Sequence, residues 1–155
     1  LRKHFSLPGM SVLQFAFGED PDVRFLPENV SADSVVYTGT HDNNTTLGWS
    51  REEAVSHPET FKQLARYVPA DTDFAWEMIR LAWHTDARLA IAPLQDVLAL
   101  GSEARMNTPG RESGNWRWRF APGQLTESLQ ERLGELTRRA SRSPAQDAGD
   151  QPCAI

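Results

Sequence analysis

An α/β fold with a parallel sheet is the class this sequence predicts. Three observations point to it. Short runs of apolar and β-branched residues stand far apart in the chain, at 10–17, 34–38 and 89–92. Each runs into a polar loop, and segments with helical spacing lie between the second and third. The runs are nearly continuous in apolar character, as strands buried on both faces are. At 155 residues the chain can bury the core of one domain. It is shorter than the roughly 250 residues of a whole (β/α)₈ barrel, but long enough to be a piece of one.

The strand predicted over 10–17 reads Met-Ser-Val-Leu-Gln-Phe-Ala-Phe and follows the turn signal Pro8-Gly9. Residues 18–29 form a loop, acidic at Glu19, Asp20 and Asp22 and broken by Pro21 and Pro27. The second strand, 34–38, runs into Gly39 and the polar block 40–46. Ser50 and Glu53 match the Ser-x-x-Glu capping box that starts a helix. Pro58 suits the first turn of another, carrying Phe61, Leu64 and Ala65. Asp73 caps a third, in which Phe74, Ala75, Met78, Ile79, Ala82 and Trp83 recur at helical spacing. The third strand, 89–92, ends at Pro93, and a Gly-, Asn- and Arg-rich loop spans 101–114. A last helix places Leu125, Leu129, Leu133 and Leu136 on one stripe. Residues 1–140 read as one unit. From Ser141 to the end, 141–155, the composition is that of a disordered tail.

Composition removes several function classes. Sixteen Lys and Arg against 21 Asp and Glu give a net charge of −5, which argues against gripping a nucleic-acid backbone. No apolar run approaches the ~20 residues of a membrane span, and no secretory leader pattern opens the chain. Neither nucleic acid nor a membrane is therefore an expected partner. The single cysteine, Cys153, provides no disulfide framework and no cysteine metal site, so a reducing compartment is the default. The chain opens on Leu1 rather than Met, as a processed product or a fragment does.

In barrels and open α/β sheets, chemistry sits in the loops after the C-terminal strand ends. Here those are 18–29, 39–46 and 97–114. The block Thr40-His41-Asp42-Asn43-Asn44-Thr45-Thr46 is the densest of them. Its imidazole, carboxylate and amides suit a polyhydroxylated ligand, because a carboxylate accepts from two adjacent hydroxyls at once. The same residue types also build Asx turns and helix caps. A metal pair at His41-Asp42, as in the HD-domain phosphohydrolases, needs further ligands. His4, His57 and His84 lack ligand spacing to it, so no metal is expected.

Asn115-Trp116-Arg117-Trp118-Arg119 puts indoles and guanidinium groups on alternate positions. If extended, the tryptophans share one face, as a strand end with core tryptophans or as a platform for sugars. Gln95-Asp96 and the stretch 103–107 frame the loop after the third strand. Glu103 and Arg105 suit a structural salt bridge, and Asn107 is a turn residue or a ligand contact. Trp76 and Trp83 read as core, Asp20 and Asp22 as solvated loop acids. A retaining glycoside-cleaving site needs two carboxyl groups about 5–5.5 Å apart. Asp42 is one well-placed carboxylate, and no second acid stands at a comparable strand end. A complete site is not assembled from these residues.

Several blocks together resemble the 4-α-glucanotransferases (amylomaltase, or disproportionating enzyme) of glycoside hydrolase family 77. They are Leu7-Pro8-Gly9-Met10 with Val12-Leu13-Gln14-Phe15-Ala16-Phe17; Val36-Tyr37-Thr38-Gly39-Thr40-His41-Asp42-Asn43 with Thr45-Thr46-Leu47-Gly48-Trp49; and Ala92-Pro93-Leu94-Gln95-Asp96-Val97-Leu98. The stretches 101–110 and 115–119 complete the pattern, in the family's order. Glu28 and Val30 stand where a histidine and an aromatic are usual, and Asn44 where an aspartate is common.

The resemblance implies a cytoplasmic enzyme of glycogen and maltodextrin metabolism, with no metal or organic cofactor. It implies a (β/α)₈ TIM barrel, of which this chain is the C-terminal part: strands six, seven and eight with their helices, incomplete on their own. Such an enzyme cuts an α-1,4 bond, holds the glucan covalently, and passes it to a sugar 4-hydroxyl. Asp42 corresponds to the family's transition-state-stabilising carboxylate. His41, Asn43, Asn107 and Trp116 are the implied substrate contacts. The nucleophile and the acid/base lie on earlier strands of the family, and their motifs are absent from this sequence. The implied partners are an α-1,4-glucan and the N-terminal portion of the same enzyme. The expectation for the chain by itself is instability and inactivity. The alternative is an inactive truncated fragment or a glucan-binding remnant.

Overall fold

The computed structural model describes residues 1–143 except residues 3 and 19. Strands β1 (Gly9–Val12), β2 (Ser34–Tyr37) and β3 (Leu89–Ile91) form one sheet in that order, all parallel. The β1–β2 crossover carries 3₁₀ turns at Leu13–Ala16, Val23–Phe25 and Pro27–Asn29. The β2–β3 crossover carries helices α1 (Thr46–Ser56), α2 (Pro58–Leu64) and α3 (Phe74–Trp83). Helices α4 (Leu94–Val97) and α5 (Glu127–Arg139) follow the sheet.

The register pairs Met10 with Val35 and Val35 with Leu89, then Val12 with Tyr37 and Tyr37 with Ile91. Paired residues share a face. One face therefore holds Met10, Val12, Val35, Tyr37, Leu89 and Ile91, and the other Ser11, Val36 and Ala90. The second face meets the helices. Val36 is fully buried among Leu13, Trp49, Leu64, Met78 and Ala82. The first face is largely open: Met10 is 62% exposed, Leu89 55% and Ile91 42%. This corrects the expectation of strands buried on both sides. The apolar character is present on both faces, but the described residues cover only one in full; on the other, Val12 is buried while Met10, Leu89 and Ile91 are open.

The first strand is also shorter than its apolar run. It ends at Val12, where its pairing with β2 ends at Tyr37. Residues 13–16 then form a 3₁₀ turn that buries Leu13 and Ala16. A short continuous apolar run cannot distinguish a buried strand from a buried helical turn. The capping box at Ser50 is not used. Helix α1 starts earlier, at Thr46, with Thr45 as cap accepting from the Gly48 N–H at 3.1 Å. Ser50 lies inside the helix and its hydroxyl donates to the Leu47 carbonyl. Glu53 instead pairs with His57 at 2.9 Å.

Pro58 does open α2, and Asp73 does precede α3. The Asp73 side chain makes no cap bond, however, and accepts from Arg132 of α5 at 2.9 Å. The side chain of Phe61 lies outside the described residues. A second, smaller core joins Trp76, Ile79 and Val97 to the partly buried Leu129, Leu133 and Leu136 of α5. Trp76 donates its indole N–H to the Val97 carbonyl at 3.1 Å, and Trp83 donates to Thr137 at 3.1 Å. Both tryptophans thus satisfy their polar atom as they pack. Leu125 precedes α5 and stays exposed; Thr126 caps that helix. Of the tail from Ser141, residues 144–155 lie outside the described residues. Arg142 is anchored: its guanidinium donates to the carbonyls of Trp83, Thr85 and Ala87 at 2.6–2.9 Å. No described helix is long and apolar enough to cross a membrane.

Candidate active site

The loop 39–45 stands at the C-terminal end of β2, the middle strand. Its polar residues divide between those that build the loop and those that face out of it. Asn43 is a builder: its Oδ1 accepts from the Thr40 backbone N–H at 3.0 Å and from the Thr40 hydroxyl at 2.7 Å. His41 and Asp42 face outward, with side chains 56% and 51% exposed. The imidazole Nε2 lies 3.2 Å from Asp42 Oδ1.

A second segment clamps the tip of this loop. Asn107 Nδ2 donates to Asp42 Oδ1 at 2.6 Å, and the Asn107 backbone N–H donates to the His41 carbonyl at 3.0 Å. Arg105 donates from Nη2 to the Asp42 carbonyl at 2.7 Å and from Nε to the Asn107 carbonyl at 2.8 Å. Glu103 does not meet Arg105 here; it accepts from the Gly101 N–H at 2.9 Å. The structural salt bridge expected of these two residues is replaced by a turn contact for Glu103 and by carbonyl bonds for Arg105. Arg105 is a residue that sequence reasoning missed as part of the site. A guanidinium bonded to carbonyls leaves no charge pattern to read in a sequence.

Trp116 reaches the same place. Its ring centroid is 5.0 Å from that of His41. Residues 115–116 are a turn, not an extended strand end, so the expected alternation of indoles and guanidinium groups does not form. Trp116 adopts φ 61°, which is uncommon for a residue with a Cβ. Its N–H donates to the Met106 carbonyl at 2.7 Å, and it remains 54% exposed. Strain of this kind, of order 1–3 kcal/mol, persists where surrounding bonds over-determine the backbone.

The roots of the loop are held by one buried acid. Asp96 of α4 is 1% exposed. Its Oδ2 accepts from the Thr38 hydroxyl and the Thr46 hydroxyl, each at 2.6 Å, and its Oδ1 accepts from the Thr46 N–H at 2.8 Å. Burial pushes its carboxyl above the usual carboxylate range, and the bonds from Thr38 and Thr46 pull it back part of the way. Asp96 cannot serve as a second solvent-facing acid beside Asp42, because its oxygens are committed and out of reach.

Asn44 closes the far side. It donates to Glu52 at 2.7 Å and to the Ser102 hydroxyl at 2.9 Å, and its carbonyl accepts from Gln14 at 3.1 Å. An aspartate at 44 would set two carboxylates against each other; the amide supplies the donor that Glu52 accepts. The other two departures from the resembled pattern are also absorbed. Glu28 accepts from the Tyr67 hydroxyl at 2.9 Å, and Val30 is buried in the principal core.

An open cleft of about 480 Å³ runs beside Asp42. Phe15 and Phe25 line it, with ring centroids 5.7 Å apart, together with Asp20, Asp22 and Glu52. Asp22 is held by Arg24, whose guanidinium bonds keep its carboxyl below the usual range. Glu19 lies outside the described residues. Phe15 is 45% exposed within an otherwise buried turn. It is a second residue that the sequence alone left indistinguishable from core. Such a cleft, with an aromatic wall and acidic rim, suits a ligand with apolar ring faces and many hydroxyls. Among the described residues, no group of His, Cys, Asp and Glu is arranged to hold a metal ion.

Comparison with known proteins agrees with this picture. The model of the 4-alpha-glucanotransferase family, glycoside hydrolase family 77, matches residues 1–126. The chain is 49% identical over 151 residues to the 4-alpha-glucanotransferase of Thermus thermophilus, which covers 92% of this chain and 30% of that enzyme. It is 47% identical over 138 residues to that of Synechocystis, covering 88% of this chain and 27% of the enzyme. In three dimensions it is similar to the amylomaltase from Streptococcus agalactiae in complex with acarbose, with TM-score 0.81 and 28% identity, covering 92% of this chain and 29% of that one. The chain thus spans under a third of the length of these relatives. With its α/β architecture and its polar strand-end loop, it belongs to the 4-alpha-glucanotransferase family.

Proposed function

We propose that this chain forms one wall of a 4-α-glucanotransferase active site. In this reading β1, β2 and β3 are strands six, seven and eight of a (β/α)₈ barrel. The enzyme moves an α-1,4-glucan segment to the 4-hydroxyl of glucose or another glucan by a retaining double displacement. Asp42 accepts from adjacent hydroxyls of the distorted sugar and stabilises the oxocarbenium-like transition state. His41 and Asn107 orient it and Trp116 completes the sugar contacts, while Asn43, expected as a contact, holds the turn that presents them. The nucleophile and the acid/base come from the N-terminal portion that the longer relatives possess.

The observation that carries the reading is the fixed outward carboxylate. Asp42 Oδ1 is pinned by Asn107 at 2.6 Å while the side chain stays half exposed, so lone pairs remain for sugar hydroxyls. Preorganised groups of this kind are the largest source of transition-state stabilisation in many enzymes. The exposed sheet face gives the second support: in a closed barrel it would line the interior, covered by the side chains of the other strands.

Disproportionation of maltotriose tests this, scored as glucose release and a ladder of longer oligomers. The expected result is no turnover by the chain alone and turnover once it is joined to the N-terminal portion of a relative. In that assembly Asp42→Ala lowers the rate about 10³-fold. Undiminished turnover in Asp42→Ala would overturn the role of Asp42. Glucan binding without turnover by the completed protein would make the chain a glucan-binding remnant.

A further inference from the structure

Two neighbouring side chains of the short helix α4 point at opposite ends of the candidate site. Gln95 donates to the Ala104 carbonyl at 3.3 Å, immediately before Arg105, which clamps the tip of the Asp42 loop. Asp96 takes the roots. Thr38 directly follows β2 and Thr46 opens α1, and loop 39–45 spans the gap between them. Both threonine hydroxyls converge on a single carboxylate oxygen, and the Thr46 N–H takes the other.

Resting on the reading of Asp42 given above, we infer that Asp96 is the positioning residue for Asp42. By binding Thr38 and Thr46 through one buried carboxylate, it sets the separation and orientation of the two loop ends. The seat of Asp42 relative to the sheet follows from that setting.

A loop is as precise as its anchors. The tip of this one is gripped through backbone carbonyls of His41 and Asp42 and through Asp42 Oδ1, so its internal shape is fixed. What those bonds leave open is where the clamped unit sits relative to β2 and α1. Asp96 closes that gap with three hydrogen bonds in a buried place, where each is stronger than at the surface. A buried carboxylate is costly to desolvate. Here it carries no ligand-facing oxygen, and the bonds to the loop roots are what it holds in return. Asp96 touches no substrate in this arrangement, so it is not a catalytic group. Its effect reaches the reaction through Asp42, and misplacement of about 1 Å in such a group can cost 10²-fold in rate.

The test is a double-mutant cycle in the completed enzyme, read as kcat and KM for maltotriose disproportionation. Asp96→Asn is expected to lower kcat about 100-fold with KM nearly unchanged. In the Asp42→Ala background the same substitution should add little, because the group being positioned is gone. A loss that multiplies in full onto that of Asp42→Ala would show a structural role independent of Asp42 and overturn the inference. So would Asp96→Asn with wild-type kcat while Asp42→Ala is dead, a result that leaves the reading of Asp42 standing. Full activity of Asp42→Ala would overturn that reading, and the inference with it. If Asp96→Asn does not fold, the threonine decides. Thr38→Val removes the hydroxyl in the same volume and should lower kcat with KM held, whereas Thr38→Ser keeps the hydroxyl and should restore it. Equal kcat in those two variants and in the wild type would overturn the inference.

Discussion

The C-terminal end of the central strand β2 and the sheet face along it live in different physical worlds. At its C-terminal end every buried polar side chain is answered. Thr38, Thr46 and Asp96 satisfy one another, Asn44 meets Glu52 and Ser102, and Asp42 meets Asn107. Along the strand itself, Val35 and Tyr37 lie on a sheet face where Met10, Leu89 and Ile91 stand open to water. The site loop is complete within this chain, whereas the apolar face is not. The difference teaches where the chain is self-sufficient. Hydrogen-bond networks can close locally, because each donor needs one acceptor a few ångströms away. A parallel sheet needs a whole second layer, because its two apolar faces must both leave water.

Two residues of the open face separate these regions most strongly. Leu89→Ser combined with Ile91→Ser should cost the completed enzyme about 2–5 kcal/mol per residue, as large-to-small changes in a core do. In the chain alone the same pair should change stability little and reduce self-association, because both residues already face water. Thermal melts of the completed enzyme and light scattering of the chain check the two halves. Equal destabilisation of both proteins would mean that the face is buried within the chain itself.

A smaller effect sharpens the other side. Gly48 lies in the first turn of α1, against the 3₁₀ turn at Ser102–Ala104. A Cβ there would lie 2.8 Å from the Ser102 backbone nitrogen, 2.7 Å from Asn44 Oδ1 and closer still to the Ser102 hydroxyl. Gly48→Ala should therefore cost about 1–3 kcal/mol by overpacking, despite the better helix propensity of alanine. A stabilising Gly48→Ala, measured by denaturant midpoint, would show that the loop cluster is looser than its bonding implies.

The smallest effect is a pH dependence. Burial raises the Asp96 carboxyl above its ordinary value of 3.8, so the folded protein keeps a proton that the unfolded chain has released. Its contribution to stability is therefore greatest below the ordinary value and falls as pH rises through the raised one. Asp96→Asn should flatten this part of the profile. Melting temperatures of both proteins from about pH 4 upward check it. Parallel profiles would mean that Asp96 titrates alike in the folded and unfolded states.

Much of this molecule is legible residue by residue. The β-branched run Ser34–Tyr37 is a strand, Pro58 opens a helix, and the apolar face of Phe74–Trp83 is core. The Thr40–Thr46 block is the polar strand-end loop that its composition indicated. The failures have two causes. Ser50 and Glu53 bond Leu47 and His57 within their own segment because the helix starts earlier, at Thr46, whereas Asp73 and Arg105 found partners far along the chain, Arg132 and the Asp42 carbonyl. A local motif states only what a side chain can reach along its own segment.

The sequence alone settled the family, the parallel α/β class and the polar strand-end loop that carries His41 and Asp42. Apolar periodicity, turn chemistry and motif order are properties of neighbouring residues, and they survive without knowledge of the fold. Tertiary structure alone decided that Asp96, far along the chain from Thr38 and Thr46, would hold the two ends of that loop. It alone decided that Arg105 would grip the loop's carbonyls, and that one face of the sheet would remain uncovered. Each of these depends on which distant segments meet, and a buried carboxylate takes its meaning from the donors brought to it rather than from the residues beside it.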